Sequence, residues 1–298
     1  MSPIPESASR WTICNRPGGK TMIEQRHLTD ILNAAGQPAW KRVALRQIEE
    51  RLTPPSDFPC VFSQSAYSRQ KIRFSFVPDL SDASINAARQ DLEAYVALSR
   101  EWDGTVGNAE PLLMLFCPQT VRAASVDGYH AIGWRVLQAW HDADSHAWPA
   151  DVSTDPHSPF WSMCFAGMQL FVNMSNPAHT SRRSRVLGDG LVFVINPRER
   201  FDIVAGDNVQ GRRVRANIRA RIERYDGLAH CPQLGSYEAG EIEWWQYGLL
   251  DENRERQDRC PFAVRPEQVA AIPAGSADSR HFAAVDALPP QRAAGESA

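Results

Sequence analysis

The stretch FVNMSNPAHTSRRSR, Phe171 to Arg185, sets one histidine beside three arginines at the end of an apolar run. Asn176-Pro177 closes that run, because proline has no N–H to give to a sheet ladder. An imidazole ligates metals, and guanidinium groups grip carboxylates by paired hydrogen bonds. Two readings follow. The segment is a basic surface turn, or it is where His179 holds a metal and Arg182, Arg183 and Arg185 hold the acid groups of an anionic cofactor. Heme makes that combination of demands: an axial ligand, an apolar slot and cations for its propionates. Phe165, Met168, Phe171 and Met174 supply apolar, polarizable walls just upstream.

A second cluster lies in EIEWWQYGLLDENRERQDRCPF, Glu241 to Phe262. Glu241, Glu243, Asp251 and Glu252 surround Trp244, Trp245 and Tyr247. Carboxylates and aromatic faces together suit a cationic ligand such as a guanidinium. Glu243, Asp251 and Trp245 are therefore the substrate-binding candidates. The competing reading pairs these carboxylates with the arginine-rich segment between Arg212 and Gly227. The other histidines offer less. No H-E-x-x-H occurs, and His130 and His141 stand about 16 Å apart along one helix, too far to share a metal. The six cysteines are dispersed without a C-x-x-C pair, so a disulfide framework and a zinc ribbon are not expected. G-x-G-x-x-G, P-loop and G-x-S-x-G patterns are absent.

These residues need a frame. The chain has 298 residues, 43% of them hydrophobic, enough for a sizeable core. A net charge of -3 argues against general affinity for nucleic acid or acidic membranes. No apolar run reaches a membrane span, and no secretory signal is evident, so a cytoplasmic location is expected. Apolar periodicity predicts helices over 38–52, 81–100, 128–141 and 212–227. Strands are expected at Phe58–Asp79 (two, around a short turn), at PLLMLFCP, at GLVFVINP, and as a pair across Trp161–Ser175 broken at Ala166-Gly167. Short turns favour antiparallel pairing, hence a single α+β domain with a mostly antiparallel sheet flanked by helices. Residues 1–36 read as a flexible segment, 37–265 as the catalytic domain and 266–298 as a disordered tail, with a short helix near Pro266–Ala271.

Several separated motifs also resemble the YqcI/YcgG family. They are FPC at Phe58–Cys60, LQAWHDAD at Leu137–Asp144, DPHSPFWSMCFAGMQLFVNMSNPAHTSRRSR at Asp155–Arg185, FVINPRERFD at Phe193–Asp202, IRARIERYD at Ile218–Asp226, LGSYEAGEIEWWQYGLLDEN at Leu234–Asn253 and CPF at Cys260–Phe262. They run in order from about Pro38 to Phe262. The resemblance implies a heme b enzyme that N-hydroxylates a guanidino or amino group, of the kind that acts on arginine in D-cycloserine biosynthesis and in guanitoxin biosynthesis. It implies molecular oxygen with a reductant and an electron donor, or peroxide, as co-substrate. Some members carry His-Pro where this chain has Asn176-Pro177. His179 is then the expected axial ligand, with His157 the alternative, and Phe165, Phe171, Arg182 and Arg185 as further cofactor contacts. The substrate is expected to be a small cationic, amino-acid-like molecule. Other oxidative chemistry, such as nitrogen–nitrogen bond formation, and a heme-binding sensor without turnover are the alternatives. A homodimer is a further expectation.

Overall fold

Leu112–Phe116 forms a strand, β3, whose five residues are all apolar and all buried. A strand buried on both faces must lie inside a sheet with layers on both sides. Its side chains alternate accordingly. Leu112, Met114 and Phe116 enter one core and Leu113 and Leu115 the other. A computed structural model of the chain describes residues 22–29, 36–206, 208–235 and 240–269. The flexible segment expected over 1–36 and the tail expected over 266–298 lie mostly outside the described residues.

Around β3 the sheet adds β1 (Ile23–Glu24), β2 (Arg73–Val77), β4 (Met163–Phe165), β5 (Met168–Ser175) and β6 (Val192–Pro197), in the order β1-β2-β3-β6-β5-β4. Only β2 and β3 run parallel, joined by a helical crossover; the other neighbours are antiparallel. Seven α-helices are described: α1 (Ala39–Leu52), α2 (Val61–Ser68), α3 (Asp82–Arg100), α4 (Val126–Asp142), α5 (Glu199–Ala205), α6 (Val209–Asp226) and α7 (Trp244–Tyr247). The fold is α+β. Helices α3, α4 and α7 pack on one face of the sheet, and α1 covers the other.

Local chemistry explains the boundaries. Ser81, Ser125 and Asn208 cap α3, α4 and α6 by accepting the backbone N–H three residues on. Gly227 ends α6 in the left-handed region at φ 72°, where a Cβ would be strained. The β4–β5 turn needs positive φ at Ala166 (49°) and Gly167 (71°). Ala166 is held there from both sides: its N–H donates to Asp144 Oδ2 at 2.6 Å, and Arg100 donates to its carbonyl.

One expected strand is corrected. Val61–Ser68, within the run expected to be the first of two strands after Phe58, is helix α2. Cys60 Sγ accepts from Ser63 N, and Ser63 Oγ donates to Cys60 O, so small polar side chains start a helix that apolar alternation had disguised. At the other end, the short helix expected near Pro266–Ala271 is a 3-10 turn over Pro266–Gln268. Gln268 is buried and donates to the carbonyls of His141 and Asp144. Among the described residues no helix is long and apolar enough to cross a membrane.

Candidate functional site

His179 sits in the loop that follows β5, and that loop is tied down along its length. Asn176 Oδ1 accepts from Ala178 N at 3.1 Å, turning the chain around Pro177. Asn176 N–H donates to Arg185 O at 2.9 Å and closes the loop base. Its tip is organised by one distant carboxylate. Asp251 accepts the backbone N–H groups of Thr180, Ser181 and Arg182, the hydroxyl of Thr180 at 2.8 Å, and His179 Nδ1 at 3.1 Å. Successive N–H groups converging on one anion form a nest. Burial alone would raise the Asp251 pKa, but donors from Thr180, Arg182, His179 and Ser181 hold it well below the usual carboxylate range.

This fixes the histidine tautomer. An ionised carboxylate only accepts, so Nδ1 carries the proton. Burial lowers the His179 pKa to about 4, against the Asp251 contact, so the ring is neutral at pH 7. Nε2 is then left with a lone pair; it is buried and has no hydrogen-bond partner among the described residues. A neutral imidazole with a carboxylate behind its N–H is a recurrent metal-ligand arrangement. His157 differs: its Nε2 accepts from Cys260 N at 3.2 Å.

The arginines do not form one patch. Arg182 is buried and spends its guanidinium on the carbonyls of Leu250 and Glu252 and on Asn253 Oδ1. It therefore fastens the loop to residues 250–253. Arg183 lies 4.5 Å over the Tyr225 ring. Arg185 is buried too, which lowers its pKa to about 10, yet among the described residues its guanidinium makes only one long bond, 3.4 Å to Gln246 O.

A second arginine-and-carboxylate system lies at the other end of α7. Glu243, just before that helix, is buried. Its Oε1 accepts from Ser162 Oγ at 2.7 Å and lies 2.8 Å from Tyr247 Oη; Arg198 Nε is 2.7 Å from Oε2. Burial raises the Glu243 pKa to about 7, although Arg198 and the two hydroxyls oppose this. Proton counting agrees. Tyr247 has one hydroxyl proton but lies 2.8 Å from both Leu170 O and Glu243 Oε1. A proton on Oε1 lets Glu243 donate to Tyr247 while Tyr247 donates to Leu170. Glu243 and Arg198 also line a cleft of ≈ 170 Å³ between β5, α5, α6 and α7, with Phe171, Phe201, Ile218 and Ile222 as its apolar wall.

The expected site residues thus separate. His179, Asp251, Arg182 and Arg185 meet around the loop. Glu243 and Phe171 belong to the cleft, at the other end of α7. Phe165 is in the core of the β4–β5 hairpin. Trp245 packs edge-on against Trp244 and is not a lining residue of the cleft. Asp251, expected to bind substrate, instead orients the His179 loop. One neighbour escaped the sequence reading. His130 of α4 is buried with its ring 6.2 Å from that of His179. The available signal was a polar residue on a helical stripe, His130–Trp134–Leu137–His141, that is otherwise apolar up to its end.

The YqcI/YcgG family profile matches residues 48–263. A Streptomyces lavendulae protein named "Putative N(omega)-hydroxy-L-arginine synthase DcsA" is 51% identical over 244 residues, 82% of this chain and 90% of that protein. Two Bacillus subtilis (strain 168) proteins are also similar. "Uncharacterized protein YcgG" is 31% identical over 76% of this chain and 89% of its own length. "Uncharacterized protein YqcI" is 28% identical over 76% and 88%. No solved structure matches the chain with significance. A profile match over most of the described residues, with relatives aligned along nearly their whole length, places this chain in the YqcI/YcgG family.

Proposed function

We propose that this protein is a heme-dependent oxygenase that N-hydroxylates a guanidino or amino group of a small amino-acid-like substrate, with arginine the first to test. The observation that carries the reading is His179 Nε2, a buried nitrogen without a partner behind which Asp251 fixes the tautomer. A relative named for N-hydroxyarginine synthesis supports the substrate class.

The residues fit heme b on its ligand side. His179 would hold the iron through Nε2. Arg185 is a better propionate partner than Arg182, since its guanidinium is buried and sparsely bonded. When bound, the heme supplies the iron that activates dioxygen with a reductant, or peroxide. The chain's own residues do the rest. Asp251 and Arg182 keep the loop rigid and so keep Nε2 aimed. Glu243 and Arg198 stand together in the cleft wall, a carboxyl and a guanidinium that would meet an amino acid with a cationic side chain. With a pKa of about 7, Glu243 Oε1 takes up or releases a proton near neutral pH, which suits a substrate nitrogen that must lose its proton. Phe171 and Phe201 exclude water from that wall.

The test has two stages. Titration with hemin, followed by absorbance, should give one equivalent bound in the wild type and loss of binding or a changed ferric spectrum in His179→Ala. Arginine supplied to the holo-protein with dioxygen and a reductant, or with peroxide, should yield a product one oxygen atom heavier. A folded wild type that takes up no hemin overturns the reading. Heme uptake without any product from arginine, guanidine or a panel of amines would leave a heme-binding sensor in its place.

A further inference from the structure

His130 is the anomaly among the described histidines. His141 and His157 each accept a backbone N–H through Nε2, and His146 and His230 pair with carboxylates. His130 is buried, yet among the described residues neither Nδ1 nor Nε2 has a hydrogen-bond partner. Burying an imidazole with both nitrogens unsatisfied is costly, and proteins rarely leave such groups alone. The ring is also clamped. A Cβ on Gly248 would stand 2.9–3.0 Å from three of its atoms, so only glycine lets α7 end against that imidazole. One turn further along α4, Trp134 stacks on Tyr247 at 5.9 Å and 17° and fixes the helix pair.

The neighbour that faces this ring is His179. The two ring centres are 6.2 Å apart, tilted by 55°, and among the described residues Nε2 of His179 and both nitrogens of His130 are buried without hydrogen-bond partners. Two imidazoles on opposite sides of one metal, each nitrogen about 2 Å from it, put their ring centres about 6 Å apart. We propose that His130 is the second imidazole of the His179 site and ligates the same iron in the resting holo-protein. This rests on the heme reading above.

Ferric absorption and electron paramagnetic resonance of the holo-protein test this without any turnover. The wild type should be low-spin with two nitrogen ligands. His130→Ala should keep its heme through His179, become high-spin, and return to low-spin on addition of free imidazole. Should His130→Ala fail to fold, His130→Gln keeps the bulk and carries the same readout. A wild type that is already high-spin, or a variant whose spectrum matches the wild type and ignores imidazole, overturns this inference alone. A folded wild type that binds no hemin overturns the heme reading and this inference with it.

Discussion

Asp251 and Glu243 are both carboxylates on the inner side of the protein, one after α7 and one before it, and they behave in opposite ways. Asp251 is surrounded by backbone N–H donors and a histidine N–H, and its charge is stabilised. Glu243 has a guanidinium and two hydroxyls, and its charge is still disfavoured. The difference is desolvation. The Asp251 side chain keeps 16% of its surface in solvent, whereas that of Glu243 keeps 3%. Donor number and residual hydration together decide which carboxylate orients a loop and which can trade a proton.

Substituting the two residues breaks or sharpens this contrast. Asp251→Ala should lower stability by about 3 kcal/mol, because several loop donors lose their acceptor. For a domain of this size that corresponds to a Tm drop of roughly 6–12 °C in a thermal melt. Glu243→Gln should stay within about 1 kcal/mol of wild type near neutral pH, since a half-protonated buried acid loses little by becoming an amide. Equal losses in the two variants would abolish the distinction.

Arginines around Asp251 should divide in the same manner. Arg182→Ala should cost about 2–3 kcal/mol, because it removes a buried cation bonded to two carbonyls and an amide. Arg185→Ala should change the melt less and instead weaken hemin binding about ten- to a hundredfold, the worth of one charge-assisted bond. A hemin affinity unchanged in Arg185→Ala would remove it from the cofactor contacts. Gly248→Ala should cost about 1–2 kcal/mol by pressing on the His130 ring. A neutral melt for that variant would mean the α4–α7 contact gives easily.

The smallest effects are in pH dependence, and their signs differ. Asp251 is depressed from 3.8, so its contribution is present above that value and is lost as the pH falls below it. Glu243 is raised from 4.5 to about 7, so stability from this group is greatest below pH 4.5 and declines between 4.5 and 7. His130 and His179, lowered from 6.5 to about 3 and about 4, act oppositely, and stability falls as the pH drops from 6.5 through those values. Melts across pH 4–8 should therefore show that Glu243→Gln removes a decline on the alkaline side. An unchanged profile would show that Glu243 titrates as an ordinary carboxylate.

Much of the frame was legible in the residues. Leu112–Phe116 and Val192–Pro197 are apolar runs between breakers, and the helix expected from Ser81 to Arg100 runs from Asp82 to Arg100. Helix α2 was hidden because eight residues carry too few periods to separate a helix from a strand. In the site, His179 stood out by residue type and neighbours. The work of Asp251 and Arg182 did not, because a cluster of charges looks unpaired until distant backbone is brought to it. His130 was measured only against His141 on its own helix, because nothing in the sequence brings α4 to the loop after β5.

The hydrogen bond from His179 to Asp251 joins residues 72 positions apart in the chain. On the ribosome, therefore, the histidine emerges long before the carboxylate that sets its tautomer. Strand β6 and the helices α5 and α6 are synthesised in the interval, so the loop stays without its acceptor until residues 250–253 have arrived. A chain halted before that point has the imidazole but nothing to aim it. The grip on any ligand at Nε2 is thus acquired among the last events of folding, after the scaffold that surrounds it.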